Sequence, residues 1–175
     1  EPELLAALEL GDTLAEERRE AGSDLVIVGD MGIGNTTPAA ALIAGLNDGA
    51  KAMYAKLAQA FATVPNTPLE IRAVPAEIQD GASNGYYNRA SLDGTRPAIY
   101  FINLKDVGDW PRYSLPALTY HEGVPGHHLQ ISTAQTSGDI PTLRKIGGFS
   151  AYSEGWALYA EQLADELGGY ATPLE

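Results

Sequence analysis

A proline–glycine pair inside a cluster of histidines limits how the centre of this sequence can fold. The stretch is TYHEGVPGHHLQ, residues 119–130, and it holds all three histidines of the chain. Pro125 has no backbone N–H to donate to the carbonyl of His121, and its ring clashes with that carbonyl in a continuous helix. Gly126 permits the backbone dihedrals of a bulge. The sequence therefore predicts a helix that is interrupted between His121 and His127.

The histidine spacing resembles the zinc-protease motif H-E-x-x-H with two additional residues. In that motif both histidines face one ion from the same side of a helix, and the glutamate takes a proton from water. On an unbroken helix His127 would lie about 240° around the axis from His121, and His128 about 10.5 Å along it. A break that loops out two residues brings His127 to the position of the second motif histidine. Both His127 and His128 are candidate ligands, and Glu122 is the candidate general base.

The alternative interpretation of this cluster is a polar turn at a helix end. Three histidines and a glutamate within one short stretch favour a metal site over that alternative. The chain has no cysteine, so zinc would need histidine and carboxylate ligands. Glu154, on the next predicted helix, is a candidate third ligand. Spacing alone also allows Glu154 and Glu161 to lie on the solvated face of that helix.

Charge and composition exclude several classes of partner. The chain has 175 residues, enough for one ordinary domain or two small ones. Its formal net charge is −12, and its 11 lysines and arginines are scattered, which speaks against nucleic acid and against an anionic membrane surface. No apolar run is long enough to span a bilayer. We expect a peptide or small-molecule ligand and no nucleic acid or membrane partner.

The composition changes near LNDGAK, residues 46–51, which predicts one unit over 1–48 and another over 49–175. The first unit is predicted to be helix, strand (DLVIVGD), glycine loop and helix. Thr36 or Thr37 is the expected N-cap of its second helix, and Pro38 lies in the first turn.

The second unit is predicted to begin with a helix in AKAMYAKLAQAFATV, followed by a strand in PLEIRAVP. LDGTRPAIYFINL predicts the end of one strand, a turn at Asp93–Gly94 and a second strand, with Pro97 indicating an edge strand. Further helices are expected from near Ser114 and from Ser150 to Leu167. The expected fold class is α+β, with helices packed on a small mixed or antiparallel sheet.

The glycine loop has the layout of a phosphate site. A strand, a glycine-rich turn and a helix start present backbone N–H groups to an anion, which makes Gly32, Gly34, Asn35 and Thr36 candidate phosphate-binding residues. The pattern is neither a complete G-x-G-x-x-G nor a Walker A motif, so a tight strand–helix turn is the alternative.

The segment VGDMGIGNTTPAAAL resembles nicotinate-nucleotide–dimethylbenzimidazole phosphoribosyltransferases over residues of about 3–46. Asp30 stands where that family usually has glutamate. The resemblance implies a nucleotide or phosphate site. It does not imply a complete transferase, because the region that carries the catalytic base of that family is absent.

Residues of about 52–173 resemble the central part of the DUF885 family, bacterial relatives of the gluzincin zinc metallopeptidases. The resemblance is carried by TPLEIRAVP, GYYNRASLDGTRPAIYFINL, LPALTYHEGVPGHHLQ and GFSAYSEGWALYAE. It implies a Zn²⁺ site of His121, one of His127 or His128, and Glu154, with Glu122 as general base. The Gly-His-x-Leu ending favours His127 as the ligand. It leaves His128 either as a residue that supports the ligands without binding the metal or as a hydrogen-bond donor to the transition state.

The same resemblance makes Tyr152 and Tyr159 candidates for stabilising an oxyanion. Family members are several hundred residues long, and this chain corresponds to their middle, so the two resemblances together suggest a chimera of two fragments. We expect a zinc-dependent hydrolase of peptide bonds. The alternatives are an inactive chimeric or truncated domain that at most binds metal, and a phosphoribosyltransferase fragment. The expected location is the bacterial cytoplasm or, after removal of a leader, the periplasm or exterior.

Overall fold

The computed structural model describes residues 13, 36–106, 110, 111 and 113–171. The described residues form an α+β fold of helices and one small sheet. The helices are α1 (Thr36–Tyr54), α2 (Ser114–Glu122), α3 (His127–Thr136), α4 (Thr142–Ile146) and α5 (Ser150–Glu166). The strands are β1 (Leu69–Ala73), β2 (Gly85–Asn88) and β3 (Ala98–Ile102), and short 3-10 helices cover Leu57–Gln59 and Ala76–Gly81.

The sheet is mixed, with the strand order β1–β3–β2. β1 pairs with β3 in parallel, and β2 pairs with β3 antiparallel. The edge position that Pro97 indicated for the last strand is therefore wrong, because β3 lies in the centre. Pro97 precedes the first paired residue, Ala98, so its missing N–H removes no bond from the ladder. The turn predicted at Asp93–Gly94 is confirmed, with Gly94 at φ +75°.

Residues 46–51, where one predicted helix was expected to end and the next to begin, lie within the single helix α1. Asn47 lies inside α1, and its side chain donates a hydrogen bond to the carbonyl of Ile43 at 2.8 Å. The helix ends at Tyr54 rather than near Val64. The predicted strand over residues 24–30 lies outside the described residues.

Two groups of buried apolar side chains fix the helices. In the first, Leu46 and Ala50 of α1 pack on the sheet against Ile71, Tyr100 and Ile102. The second joins the end of α1 to α2, α3 and α5, and its members are Met53, Leu57, Tyr120, Val124, Leu129 and Ala164. Burial of a large apolar side chain stabilises a fold by roughly 1.5–3 kcal/mol, so this second group holds the three helices in fixed relative positions.

Helix α5 lies close to α2 because its facing side chains are small. Ala157 and Ala160 are fully buried. The indole N–H of Trp156 donates to the carbonyl of Pro125 at 2.9 Å. The hydroxyl of Tyr120 donates to the carbonyl of Gly169 at 2.6 Å. These contacts fix the rotation of α5, which begins at Ser150 as predicted.

The predicted interruption of the histidine helix is confirmed, since α2 ends at Glu122 and α3 begins at His127. The link passes so close to α2 that a Cβ on Gly126 would lie 1.9 Å from the carbonyl oxygen of His121 and 2.3 Å from that of Tyr120. Both neighbours are backbone atoms of a helix and cannot rotate away. Only glycine fits at this position.

We expect Gly126→Ala to lower the free energy of unfolding by about 3 kcal/mol, because a methyl group must displace helical backbone. Urea denaturation monitored by circular dichroism measures the change. Gly45→Ala is the matched control: Gly45 lies in α1 with open space around its Cβ position, so alanine should stabilise the helix by about 0.5–1 kcal/mol. Equal stability of wild type and Gly126→Ala would contradict the close approach.

Candidate metal centre

Three side chains that can hold a metal ion meet where α2, α3 and α5 converge. They are His121 in the last turn of α2, His127 at the start of α3, and Glu154 near the start of α5. Their ligand atoms all lie within 4.8 Å of one another. The interruption after Glu122 produces this grouping, because it turns α3 so that His127 lies beside His121.

The distances within the group suit a shared ion. The Oε2 atom of Glu154 lies 3.4 Å from Nε2 of His121 and 3.4 Å from Nε2 of His127. Both distances exceed the usual 2.7–3.2 Å of an N–H···O hydrogen bond. Ligand atoms at roughly 2.0–2.1 Å from a tetrahedral zinc ion are separated by roughly 3.3–3.4 Å. The carboxylate of Glu154 therefore already lies at the separation of zinc ligands from each of the two imidazoles.

Glu161 orients the imidazole of His121 from behind. Its Oε1 atom lies 2.7 Å from Nδ1 of His121, which directs Nε2 towards Glu154. A carboxylate that accepts from the second ring nitrogen fixes the tautomer of a metal-binding histidine and makes the ring a stronger ligand. The spacing in the sequence had allowed Glu161 to lie on the solvated face of its helix. Its spacing of seven from Glu154 was the available signal, since seven residues return to the same helix face.

His127 is buried, and its imidazole is in the neutral form that can bind a metal ion. Burial lowers the pKa of its imidazole, although the nearby Glu154 carboxylate acts in the opposite direction. The neutral ring that results is the form that binds metals. Its Nδ1 is buried and has no hydrogen-bond partner among the described residues. The rings of His121 and His127 meet edge to face, with centroids 4.9 Å apart.

The structure does not bring His128 into this group. Its Nε2 lies 3.0 Å from the carbonyl oxygen of Thr67, and its Nδ1 lies 3.1 Å from the hydroxyl of Tyr87. Burial lowers the pKa of His128 to about 4, so the ring is neutral, donates to Thr67 and accepts from Tyr87. Of the two histidines that the sequence left open as ligands, the one beside His121 is His127.

Glu122 and Tyr152 line the same cavity as His127 and Glu154. Tyr159, the other tyrosine predicted for the site, is not among the residues that line this cavity, and its ring contacts Trp156. The cavity has a volume of about 370 Å³. Glu122 is buried, and burial raises its pKa to about 7, with the His121 charge opposing and the Glu154 charge adding to the rise. Tyr152 lies on α5 and is 68% exposed. Both side chains are thus placed beside the candidate ligands.

Tyr87 on β2 is a site residue that the sequence analysis did not identify. Its ring packs beside His127 with a centroid distance of 6.4 Å, and it meets His128 at 5.7 Å. The aromatic pair Tyr86–Tyr87 was the signal for a strand here, since aromatic residues favour strands. β2 thereby supplies one wall of the cavity.

The candidate phosphate-binding residues Gly32, Gly34 and Asn35 lie outside the described residues. Thr36 is described only as the first residue of α1. The phosphate site therefore remains a prediction. None of the described helices has the length and apolarity needed to cross a membrane.

Comparison with known proteins gives two separate likenesses. The profile of a family described as "Bacterial protein of unknown function (DUF885)" matches residues 27–175. The crystal structure of a protein described as "the putative lipoprotein from Colwellia psychrerythraea" superimposes with a TM-score of 0.72 and 45% identity, covering 74% of this chain and 22% of that chain. This chain thus spans about a fifth of that neighbour.

The second likeness is to nicotinate-nucleotide–dimethylbenzimidazole phosphoribosyltransferases. Those of Mycobacterium tuberculosis and Mycobacterium bovis are 56% identical over 46 residues, which is 26% of this chain and 13% of the enzyme. The corresponding enzyme of Mycobacterium marinum is 56% identical over 43 residues, 12% of its length. These matches cover a small part of each transferase.

We expect the wild-type protein to bind close to one zinc ion per chain and Glu154→Gln to bind zinc at least tenfold more weakly, because an amide oxygen is a poorer ligand than a carboxylate. Competition with a fluorescent chelator measures the affinity. Glu166→Gln, an exposed substitution of the same type on the same helix, is the control and should bind like wild type. A well-folded wild type without zinc affinity would contradict the site.

Glu161→Gln tests the orienting contact separately. Loss of such a carboxylate partner weakens metal binding by about 10–100-fold, so this variant should hold zinc less tightly while retaining its fold. The same chelator competition measures it. An affinity equal to that of wild type would show that Glu161 does not orient His121.

Proposed function

The chain belongs to the DUF885 family, and we propose that it is a zinc-dependent hydrolase of peptide bonds. The observation that carries the proposal is the pair of 3.4 Å distances from Oε2 of Glu154 to Nε2 of His121 and of His127. Two histidines and one carboxylate are three ligands, and a zinc site with three protein ligands and one open position is typical of catalysis rather than of structural support.

A bound Zn²⁺ would lower the pKa of a water molecule and polarise a substrate carbonyl. The residues of this chain would perform the remaining tasks. Glu122 follows His121 directly and lines the cavity with His127 and Glu154. In this position its carboxyl group would accept the proton of the attacking water and pass it to the leaving amine.

Two further side chains have proposed roles around that reaction. Tyr152 is exposed and lines the cavity, so its hydroxyl can donate to the negative charge that develops on the substrate oxygen. Of the two roles that the sequence left open for His128, we assign it the supporting role and not the hydrogen bond to the transition state. Both of its ring nitrogens are engaged, with Thr67 and Tyr87, and these bonds hold the start of α3.

Peptide bonds are proposed as the target because the chain order of the site resembles that of gluzincin metallopeptidases. A histidine and glutamate, a second histidine and a glutamate on a following helix occur here in that order. The separation of the two histidines differs from H-E-x-x-H, and the helix interruption at Gly126 compensates for the difference. The chain order and the interruption together support the proposed roles of the ligands and of Glu122.

A domain that binds metal without turnover is the competing proposal. The chain spans 22% of the length of its structural neighbour, and the side chain of Glu154 is 60% exposed. An open site with few walls excludes water poorly, which weakens the electrostatic interactions that stabilise a transition state. Zinc binding with no cleavage of a peptide library would favour this outcome over hydrolysis.

A second candidate function concerns the N-terminal segment. The 56% identity to phosphoribosyltransferases supports a nucleotide-binding segment within residues of about 3–46, joined to the DUF885 part as a chimera. Titration with nicotinate mononucleotide in a calorimeter tests it. Saturable binding that is lost in Gly34→Val would support the proposal, and no heat at millimolar ligand would contradict it.

We expect Glu122→Gln to reduce zinc-dependent peptide cleavage by about 10²–10⁴-fold, the contribution typical of a general base, and to leave one zinc ion bound. Cleavage is measured by mass spectrometry on a peptide library, with zinc content measured on the same samples. Glu166→Gln is the control for a lost surface carboxylate. Undiminished cleavage by zinc-loaded Glu122→Gln would contradict the role given to Glu122.

A further inference from the structure

The cavity beside the metal centre is lined by charges of both signs. Glu122 and Glu154 are its acidic residues. Its cations are Arg89, just after β2, and Arg144 and Lys145 on α4. We call these three residues the cationic wall. The whole chain has 11 lysines and arginines against 23 aspartates and glutamates, so three cations lining one cavity depart from the overall charge.

The residues of the cationic wall form no ion pair with another described side chain. Among the described residues, the ion pairs between side chains of fixed charge join Arg72 to Glu70 and Lys105 to Asp80, and neither pair includes a residue of the wall. Arg89 donates one N–H to the carbonyl of Ile146 at the end of α4. A guanidinium group has five N–H donors, so that contact fixes its position and leaves others available to a ligand.

Two physical effects favour an anionic ligand at this wall. Three cations grouped along one part of the cavity attract an anion to that part and raise its local concentration. Arginine also recognises carboxylates through paired N–H groups, which adds geometric selectivity to the attraction. The metal centre and the cationic wall line the same cavity of about 370 Å³, a size that accommodates a small ligand.

We propose that the cationic wall binds a carboxylate of the substrate, so that the preferred substrate is a peptide with an acidic side chain or a free C-terminal carboxylate close to the cleaved bond. The cleavage part of this inference rests on the proposed function. The binding part does not, because the wall can hold a carboxylate whether or not the peptide is cleaved.

Three peptides that are blocked at the N-terminus and differ in the position or presence of one carboxylate test the proposal. One carries glutamate and an amidated C-terminus, the second carries glutamine and an amidated C-terminus, and the third carries glutamine and a free C-terminus. Their kcat/KM values are measured with the zinc-loaded wild type. Their Kd values are measured by calorimetry with zinc-loaded Glu122→Gln, the variant expected not to cleave them.

We expect at least one of the two anionic peptides to bind about tenfold more tightly than the neutral one at low salt, the sum of several modest charge interactions. The preference should shrink towards unity near 1 M salt, where screening is strong. The peptide that shows the preference identifies the source of the carboxylate. Equal binding of all three peptides would overturn the proposal.

Two matched double variants test whether the cationic wall causes the preference for the anionic peptide. Arg144→Gln/Lys145→Gln should reduce the preference for the anionic peptide about fivefold without changing zinc content. Lys51→Gln/Arg72→Gln removes the same charges from outside the cavity and should leave the preference intact. A preference that persists in the first double variant, or falls equally in both, would show that the wall is not the binding site.

The outcomes separate this inference from the proposed function. Selective binding of an anionic peptide by a zinc-loaded protein that cleaves nothing would support the wall and contradict the hydrolase. Cleavage without selection among the three peptides would support the hydrolase and contradict the wall.

Discussion

The close approach of Gly126 to the carbonyl oxygens of α2 is the constraint on which the metal centre depends. An uninterrupted helix would place His127 on the opposite side from His121. The link between α2 and α3 removes that mismatch, and Val124 anchors the link because its side chain is fully buried. Trp156 then ties the link to α5 through the carbonyl of Pro125. The position of Glu154 therefore depends on the same few backbone contacts that position the histidines.

The parts of the site that follow local rules could be predicted from the sequence. Pro125 lacks an N–H, so the helix interruption follows from one residue, and α5 begins at Ser150 as its pattern indicated. The orientation of His128 could not be predicted, because it depends on Thr67 and Tyr87, which are distant in the chain. The central position of β3 was missed for a similar reason. The missing N–H of Pro97 is a local property, and it carries no information on how many strands lie beside β3.

The buried polar side chains near the site differ in whether they have hydrogen-bond partners. His128 has a hydrogen bond at each ring nitrogen, so its burial costs little. The Nδ1 atom of His127 has no partner among the described residues, and the carboxyl of Glu122 is buried beside the candidate ligands. A buried polar group without a partner is costly. The nitrogen of His127 that lies 3.4 Å from Glu154 is Nε2, so a metal ion held there would leave Nδ1 without a partner. Glu122 lines the cavity with His127 and Glu154, so a ligand bound in that cavity would lie beside its buried carboxyl group.

Burial also differs among the three candidate metal ligands, with side-chain exposures of 10% for His127, 22% for His121 and 60% for Glu154. The two histidines belong to α2 and α3, which the apolar group around Met53 and Leu129 holds together. Glu154 comes from α5 and faces solvent, so an ion shared by all three would add a bond between α5 and the other two helices. A ligand that binds only the folded state stabilises it by mass action. Metal binding would therefore stabilise the contact between α5 and the α2–α3 pair, and the geometry of the open fourth position would become more rigid as the site is filled.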